Sequence, residues 1–276
     1  METFIHIATI LLPIVWIGVF AFYARHFFRE GRTPGQFVGS RLLHAGLALQ
    51  AVYLAAVGLH TGHFPFTSRS EFLALLALSI AAIYAFDERR HGDADTGVFF
   101  VAIAALFQLA SAILWTDPGV GPQSARDPIF GLHVLFTVFG FAGLTISALY
   151  ALMYVLLSVQ LKSGDLGVVF RRLPPLATLE EMSKLAAIAG VALLGVGLGL
   201  GHYVAVANFG TVDPLGHPAI IVADLAWLSY VGGLITAESR GLSGRRMGYL
   251  SLGGYLVFMI SMVVVLSQSG TLHTFQ

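Results

Sequence analysis

The sequence predicts an all-α fold, a polytopic membrane protein with eight transmembrane helices. Three observations carry this reading. The chain of 276 residues is 57% hydrophobic and only 11% charged, with a mean hydropathy of +0.81. That is more apolar surface than a water-soluble core of this length can use. The apolar residues fall in separate continuous runs, most of about 18 residues or longer, which suits membrane helices and excludes the alternating pattern of a transmembrane β-barrel. The 15 lysines and arginines also fall in a regular alternation along the chain.

The expected spans are residues 4–23, 42–59, 72–86, 98–115, 134–161, 185–207, 219–237 and 249–266. The third has 15 residues, about 22 Å of helix against a hydrocarbon core of about 30 Å. Its flanking acids, Glu71 and Asp87, are therefore expected within protein contacts or at a thinned interface. The fifth span, headed by His133, carries no charge from Val134 to Leu161, and Lys162, Arg171 and Arg172 follow it. A Pro-Pro turn then leads to Thr178 and Glu181, whose spacing predicts a capping box for the next helix.

Counting across these spans puts 13 Lys and Arg residues on one face and only Arg69 and Arg126 on the other. The positive-inside rule then places both termini outside the cytoplasm. A miscounted span would scramble that alternation. The first apolar run has no basic segment before it, and the first arginine is Arg25, so it reads as a retained span rather than a cleaved signal. No long soluble segment or low-complexity tract interrupts the spans, and residues 1–276 read as one transmembrane domain.

Absences narrow the chemistry. The chain has no cysteine, which excludes disulfides, zinc–cysteine sites, iron–sulfur clusters and thiol redox chemistry of its own. The net charge is zero, so no nucleic-acid footprint is present. No Ser-His-Asp or HExxH pattern occurs. The GLGLG run from Gly197 to Gly201 lies inside an apolar span with no strand before it. It therefore reads as close helix packing and not as a phosphate loop.

The candidate residues are mostly histidines. His60, His63, His133, His217 and His273 fall near the outer face, with His202 close to it. His133 and His273 stand at helix ends on the same face. Two imidazoles meeting there could ligate a haem (heme) iron axially, and each is also at home as an interfacial histidine. His44 lies inside an apolar span, where an ionisable group is either functional or a neutral ring bonded to a neighbouring helix. Asp224, three residues before Trp227, needs a partner, a proton or the interface, and His202 or His217 could pair with it.

Several segments in order resemble one family. RLLHAGLALQAVYL, around His44, is similar to a second span with a membrane histidine. GHFPFTSRSEFLALLALSIAAIYA carries Pro65, Thr67 and Glu71 in the places of a P-x-[ST]-x-x-x-E turn. The His133 helix, the stretch LPPLATLEEMSKLAAIAGVALLGVGLGLG and the tail SGTLHTF with His273 follow. From span two to the C-terminus the chain resembles the cytochrome c assembly family, of the CcsA/HemX haem-handling type. The resemblance implies a bacterial inner (plasma) membrane protein that binds or presents haem at the outer face and catalyses no bond change on its own. His133 and His273 would be axial ligands. Asp224 and Trp227 would lie beside the macrocycle, in a stretch that lacks the family's tryptophan-rich signature. His44 would belong to a second, membrane-embedded histidine site. Glu238 stands where the resemblance would place its partner histidine.

The implied partners are membrane lipid, haem and another membrane protein, of cytochrome c assembly or of a respiratory complex. The partner domain that some members carry fused is expected here as another chain or not at all. Two alternatives stay open. One is a structural subunit of a larger respiratory or photosynthetic complex that has lost haem. The other is a small-solute transporter, against which no inverted repeat of interrupted helices is evident.

Overall fold

The computed structural model describes residues 1–29, 38–92, 94–116, 126–164, 167–209 and 218–272. Among these residues the structure is helical throughout, with no strand. In chain order the helices are α1 (Glu2–Phe28), α2 (Val38–Thr61), α3 (Arg69–His91), α4 (Gly97–Ile113), α5 (Pro128–Ser163), α6 (Val168–Arg172), α7 (Leu176–Phe209), α8 (Pro218–Ser239) and α9 (Arg245–Leu272). Seven are long and apolar enough to cross a membrane, and α4 is a shorter apolar helix of 17 residues. These eight stand at the eight expected spans, and the chain is an all-α polytopic membrane protein.

Two boundaries differ from expectation. The third apolar run is carried by a longer helix: α3 runs for 23 residues, about 34 Å, and its flanking acids lie within protein contacts, one of the two arrangements expected for them. The charged flanks are helical because their charges are used. Glu71 is buried as the N3 member of a capping box with Ser68, its carboxylate accepting the Thr67 and Ser68 amides. Asp87 pairs with His91 one turn on. The Thr178–Glu181 capping box does not open its helix, because α7 already begins at Leu176, directly after Pro174 and Pro175. Proline suits the start of a helix, where its missing N–H has no helical partner to lose.

The chain divides into two compact units. The first comprises Met1–Gly121 with Leu166–Leu173, and the second Pro122–Asp165 with Pro174–Gln276. In the first, α1 packs on α2 and α4, and α3 packs on the same two, which closes a ring of four helices. One side chain joins all four. Gln50 of α2 accepts a hydrogen bond from the Trp16 indole of α1, and its amide donates to the Ala74 carbonyl of α3 at 2.6 Å and to Gln108 Oε1 of α4 at 2.7 Å. Gln50, Trp16 and Gln108 are all buried. In a low-dielectric interior, a polar group satisfied in this way fixes register, whereas an unsatisfied one is strongly destabilising.

A second polar cluster closes the end of this unit where α1 finishes. The buried Glu88 accepts hydrogen bonds from Tyr23 and Ser40. Nearby, the Arg172 guanidinium of α6 donates to Asp95 Oδ1 at 2.9 Å and to the carbonyls of His26 and Arg29 at 3.2 and 2.7 Å. His26 Nε2 also lies 3.2 Å from Asp95. Arg172 thereby occupies last-turn carbonyls of α1, which have no helical partner of their own.

The second unit is another ring: α5 packs on α7 and α9, and α8 packs on the same two. Its dominant contact, α5 against α7, runs along glycines. A Cβ added to Gly140 would lie 2.6 Å from the Leu194 nitrogen, one at Gly143 2.8 Å from Gly190 Cα, and one at Gly190 2.8 Å from the Leu144 nitrogen. The two backbones therefore touch, as small residues at membrane helix interfaces allow. Ser147 with Ser183 and Thr145 with Tyr255 add hydroxyl pairs from α5 to α7 and to α9.

This contact makes a testable contrast. Gly143→Val drives a side chain into the Gly190 backbone, so a loss of about 3 kcal/mol or more is expected in unfolding of the purified protein. Gly199→Ala, where an added Cβ meets nothing within 4 Å, should leave stability unchanged or raise it. Equal effects of the two would contradict the backbone contact.

Candidate functional site

The site is built at the end of the second unit where α5 begins. Asp127 caps α5, its carboxylate accepting the Ile129 amide at 2.9 Å, and Pro128 occupies the first turn. His133 follows 6 residues after the cap, about 9 Å along the axis. The same glycine contact continues to this level. Gly197 lies against Thr137, and Gly201 lies against the His133 ring, so that a Cβ at Gly201 would sit 2.7 Å from His133 Cε1. The missing side chain at Gly201 is the space that the imidazole fills.

The ring has a defined orientation. His133 Nδ1 is 2.7 Å from the Gly197 carbonyl oxygen, an acceptor, so Nδ1 carries the hydrogen. Nε2 then keeps its lone pair, and it has no hydrogen-bond partner among the described residues. A backbone carbonyl on one ring nitrogen is how a metal-binding imidazole is commonly held. A haem iron takes four nitrogens from its macrocycle and asks the protein for axial ligands only, and His133 meets the requirement for one. Among the described residues no group of three or more His, Cys, Asp or Glu side chains could hold a bare metal ion.

Asp224 and Trp227 lie one turn apart on α8 and both meet α7. Among the described residues Asp224 meets His202, one of the two partners considered for it: Nε2 is 3.1 Å from Asp224 Oδ2, with both side chains partly exposed. His202 Nδ1 also lies 2.8 Å from the Leu198 carbonyl. Both ring nitrogens thus face acceptors. His217 lies outside the described residues. The Trp227 indole donates to the Val191 carbonyl at 2.9 Å and packs on Gly195.

The remaining candidates stand apart. His44, in the first unit, is exposed, and its Nδ1 turns back to the Ser40 carbonyl of its own helix at 2.6 Å. Glu238, at the opposite end of the second unit from His133, is 71% exposed and pairs with Lys184. His273 lies outside the described residues. Sequence reasoning did not single out Gly197 and Gly201 as the support for His133. Their signal was present in the four-residue spacing of two glycines in a span facing a histidine helix.

The family described as "Cytochrome C assembly protein" matches residues 45–273. The chain belongs to the cytochrome c assembly protein family. Curated relatives include an uncharacterized 28.8 kDa protein of Azospirillum brasilense, 31% identical over 47% of this chain and 48% of its own length. Protein HemX of Brevibacillus brevis is 25% identical over 65% of this chain and 66% of its own length. The cytochrome c biogenesis protein CcsA of Synechococcus sp. (strain RCC307) is 26% identical over 95% of each chain. The chain thus spans about half to two thirds of the first two relatives and nearly all of the third. No solved structure matches it. The range shared with the cytochrome c assembly family takes in His133, Gly197, Gly201, Asp224 and Trp227, ends on His273, and begins one residue after His44.

If Gly201 is the space for the imidazole, Gly201→Ala should lower unfolding free energy by about 1–3 kcal/mol. The same change should be much less harmful on a His133→Ala background. A double-mutant cycle by chemical denaturation checks this, and additivity of the two changes would rule out the steric contact.

Proposed function

We propose that this protein handles haem in cytochrome c assembly, holding it at the outer membrane face with His133 and His273 as axial ligands. It presents the haem to a partner membrane protein and makes or breaks no covalent bond on its own. The observation that carries this reading is the Nδ1–H of His133 bonded to the Gly197 carbonyl, which leaves Nε2 directed at no protein acceptor among the described residues. Family membership and the CcsA and HemX relatives support the setting.

Bound haem would supply the iron that takes the axial nitrogens. The protein's own residues do the remaining work. Gly197 fixes the tautomer of His133, and Gly201 leaves the ring room. The α5–α7 backbone contact holds ligand and support at one level. Trp227, anchored on Val191, lends an indole wall on α8, and the His202–Asp224 pair lies on the same helices. Family membership supports a bacterial inner membrane location, and the charge count supports both termini outside.

The test is the absorption spectrum of the purified protein with ferric haem. A Soret band is expected to shift when His133 is replaced by Ala. A spectrum indifferent to His133→Ala would overturn the ligand assignment, and no haem spectrum at all would favour a structural subunit that has kept the fold and lost haem. Topology is checked separately by reporter fusions after Arg172 and after Gln276, which should report opposite sides of the membrane. A shared side would refute the orientation.

A further inference from the structure

We propose that Arg126 recognises a carboxylate of the haem held at His133, and so sets the specificity of this site for the free acid form of the macrocycle. The inference rests on the haem reading above. It starts from an exception in the charge pattern. Of 15 Lys and Arg residues, 13 belong to one face by the span count, and Arg126 is one of two that do not. The other, Arg69, lies in the first unit at the start of α3 and has interactions there. Arg126 belongs to the second unit and immediately precedes the N-cap of the helix that carries His133.

Arg126 is exposed, and among the described residues its guanidinium has no ion-pair or hydrogen-bond partner. The adjacent acid does not neutralise it at close range, because the Asp127 carboxylate is turned onto the Ile129 amide. His202, also at this end, has both ring nitrogens facing acceptors, the Leu198 carbonyl and Asp224. Among the described residues, Arg126 is therefore a positive group with no partner on the helix that carries the candidate ligand.

The spacing suits the ligand. From the cap to His133 α5 rises about 9 Å, which is comparable with the distance from the iron of haem to its propionate carboxylates. A guanidinium is the side chain best shaped to take a carboxylate, through two parallel N–H donors. At a membrane interface the local dielectric is lower than in water, so such a pair is stronger than on an ordinary surface. The same anionic-oxygen chemistry is offered by the phosphate of a lipid headgroup, and the experiment must separate the two.

Full-length protein in neutral, lipid-free detergent is titrated with ferric haem and with haem dimethyl ester, whose carboxylates are blocked, and the Soret band is followed. Wild type is expected to bind haem about tenfold or more tightly than the ester, the scale of one charge-assisted hydrogen bond. Arg126→Gln should abolish the preference by weakening haem alone, with the Soret position at saturation unchanged. Arg126→Lys should keep most of the preference.

An equal preference in wild type and Arg126→Gln, or a parallel loss for haem and ester, would overturn the proposal. In a second arm, wild type and Arg126→Gln are compared in phosphatidylcholine vesicles with and without phosphatidylglycerol. A difference that appears only with the anionic lipid would assign Arg126 to headgroups and also overturn it. If wild type binds the ester as well as haem, the haem reading survives and this inference falls. If wild type binds neither, both fall.

Discussion

From the Gly143–Gly190 level to the Thr137–Gly197 level, α5 and α7 run with their backbones in contact, and the second unit depends on that contact. Between membrane helices there is no hydrophobic gain to be had from association, since lipid is as apolar as leucine. What remains is close packing, and it needs surfaces without side chains. Gly140, Gly143, Gly190 and Gly197 provide them, each at a place where a Cβ would fall 2.6–2.8 Å from an atom of the facing helix. The geometry leaves little freedom in register. Because register is fixed, Gly201 meets His133, and the Gly197 carbonyl meets its Nδ1. The candidate ligand is thus held by the packing of two helices and not by a loop.

The first unit solves the same problem with polar side chains. Gln50 satisfies its carbonyl and both amide hydrogens on three other helices, and removing it would leave buried groups without partners. At the end of this unit where α1 finishes, Arg172 and Asp95 form a largely buried pair, with side chains 9% and 4% exposed. Breaking such a pair strands a charge, which is far more harmful than losing a surface ion pair. The short α6 between two long spans is therefore an anchored segment. One unit is ordered by absent side chains and the other by fully satisfied ones.

Much of this was legible in the sequence. Apolar runs of membrane length locate the helices, because the bilayer leaves the backbone no other way to satisfy its hydrogen bonds. The ends were less legible. The ends of α3 looked like flanks because Glu71, Asp87 and Glu88 are charged, yet capping, an i,i+4 pair and burial keep each of them helical. His133 was recognisable as a lone imidazole at a span's head. Its support on another helix, 64 and 68 positions on, was not, since a glycine's role shows only once its neighbour is known. Asp224 was readable as needing a partner, but the choice of His202 required the α7–α8 packing. Arg172 and Asp95, 77 residues apart, gave no local sign at all.

Helix packing holds His133 as a neutral ring with Nδ1 protonated and Nε2 bare. Nitrogen-15 NMR of the ligand-free protein, labelled at histidine and assigned by loss of one signal set in His133→Gln, reads this directly. The expected result is a protonated Nδ1, hydrogen-bonded to a carbonyl, and an unprotonated Nε2 at neutral pH. A hydrogen on Nε2, or rapid exchange between the two tautomers as in free histidine, would contradict it.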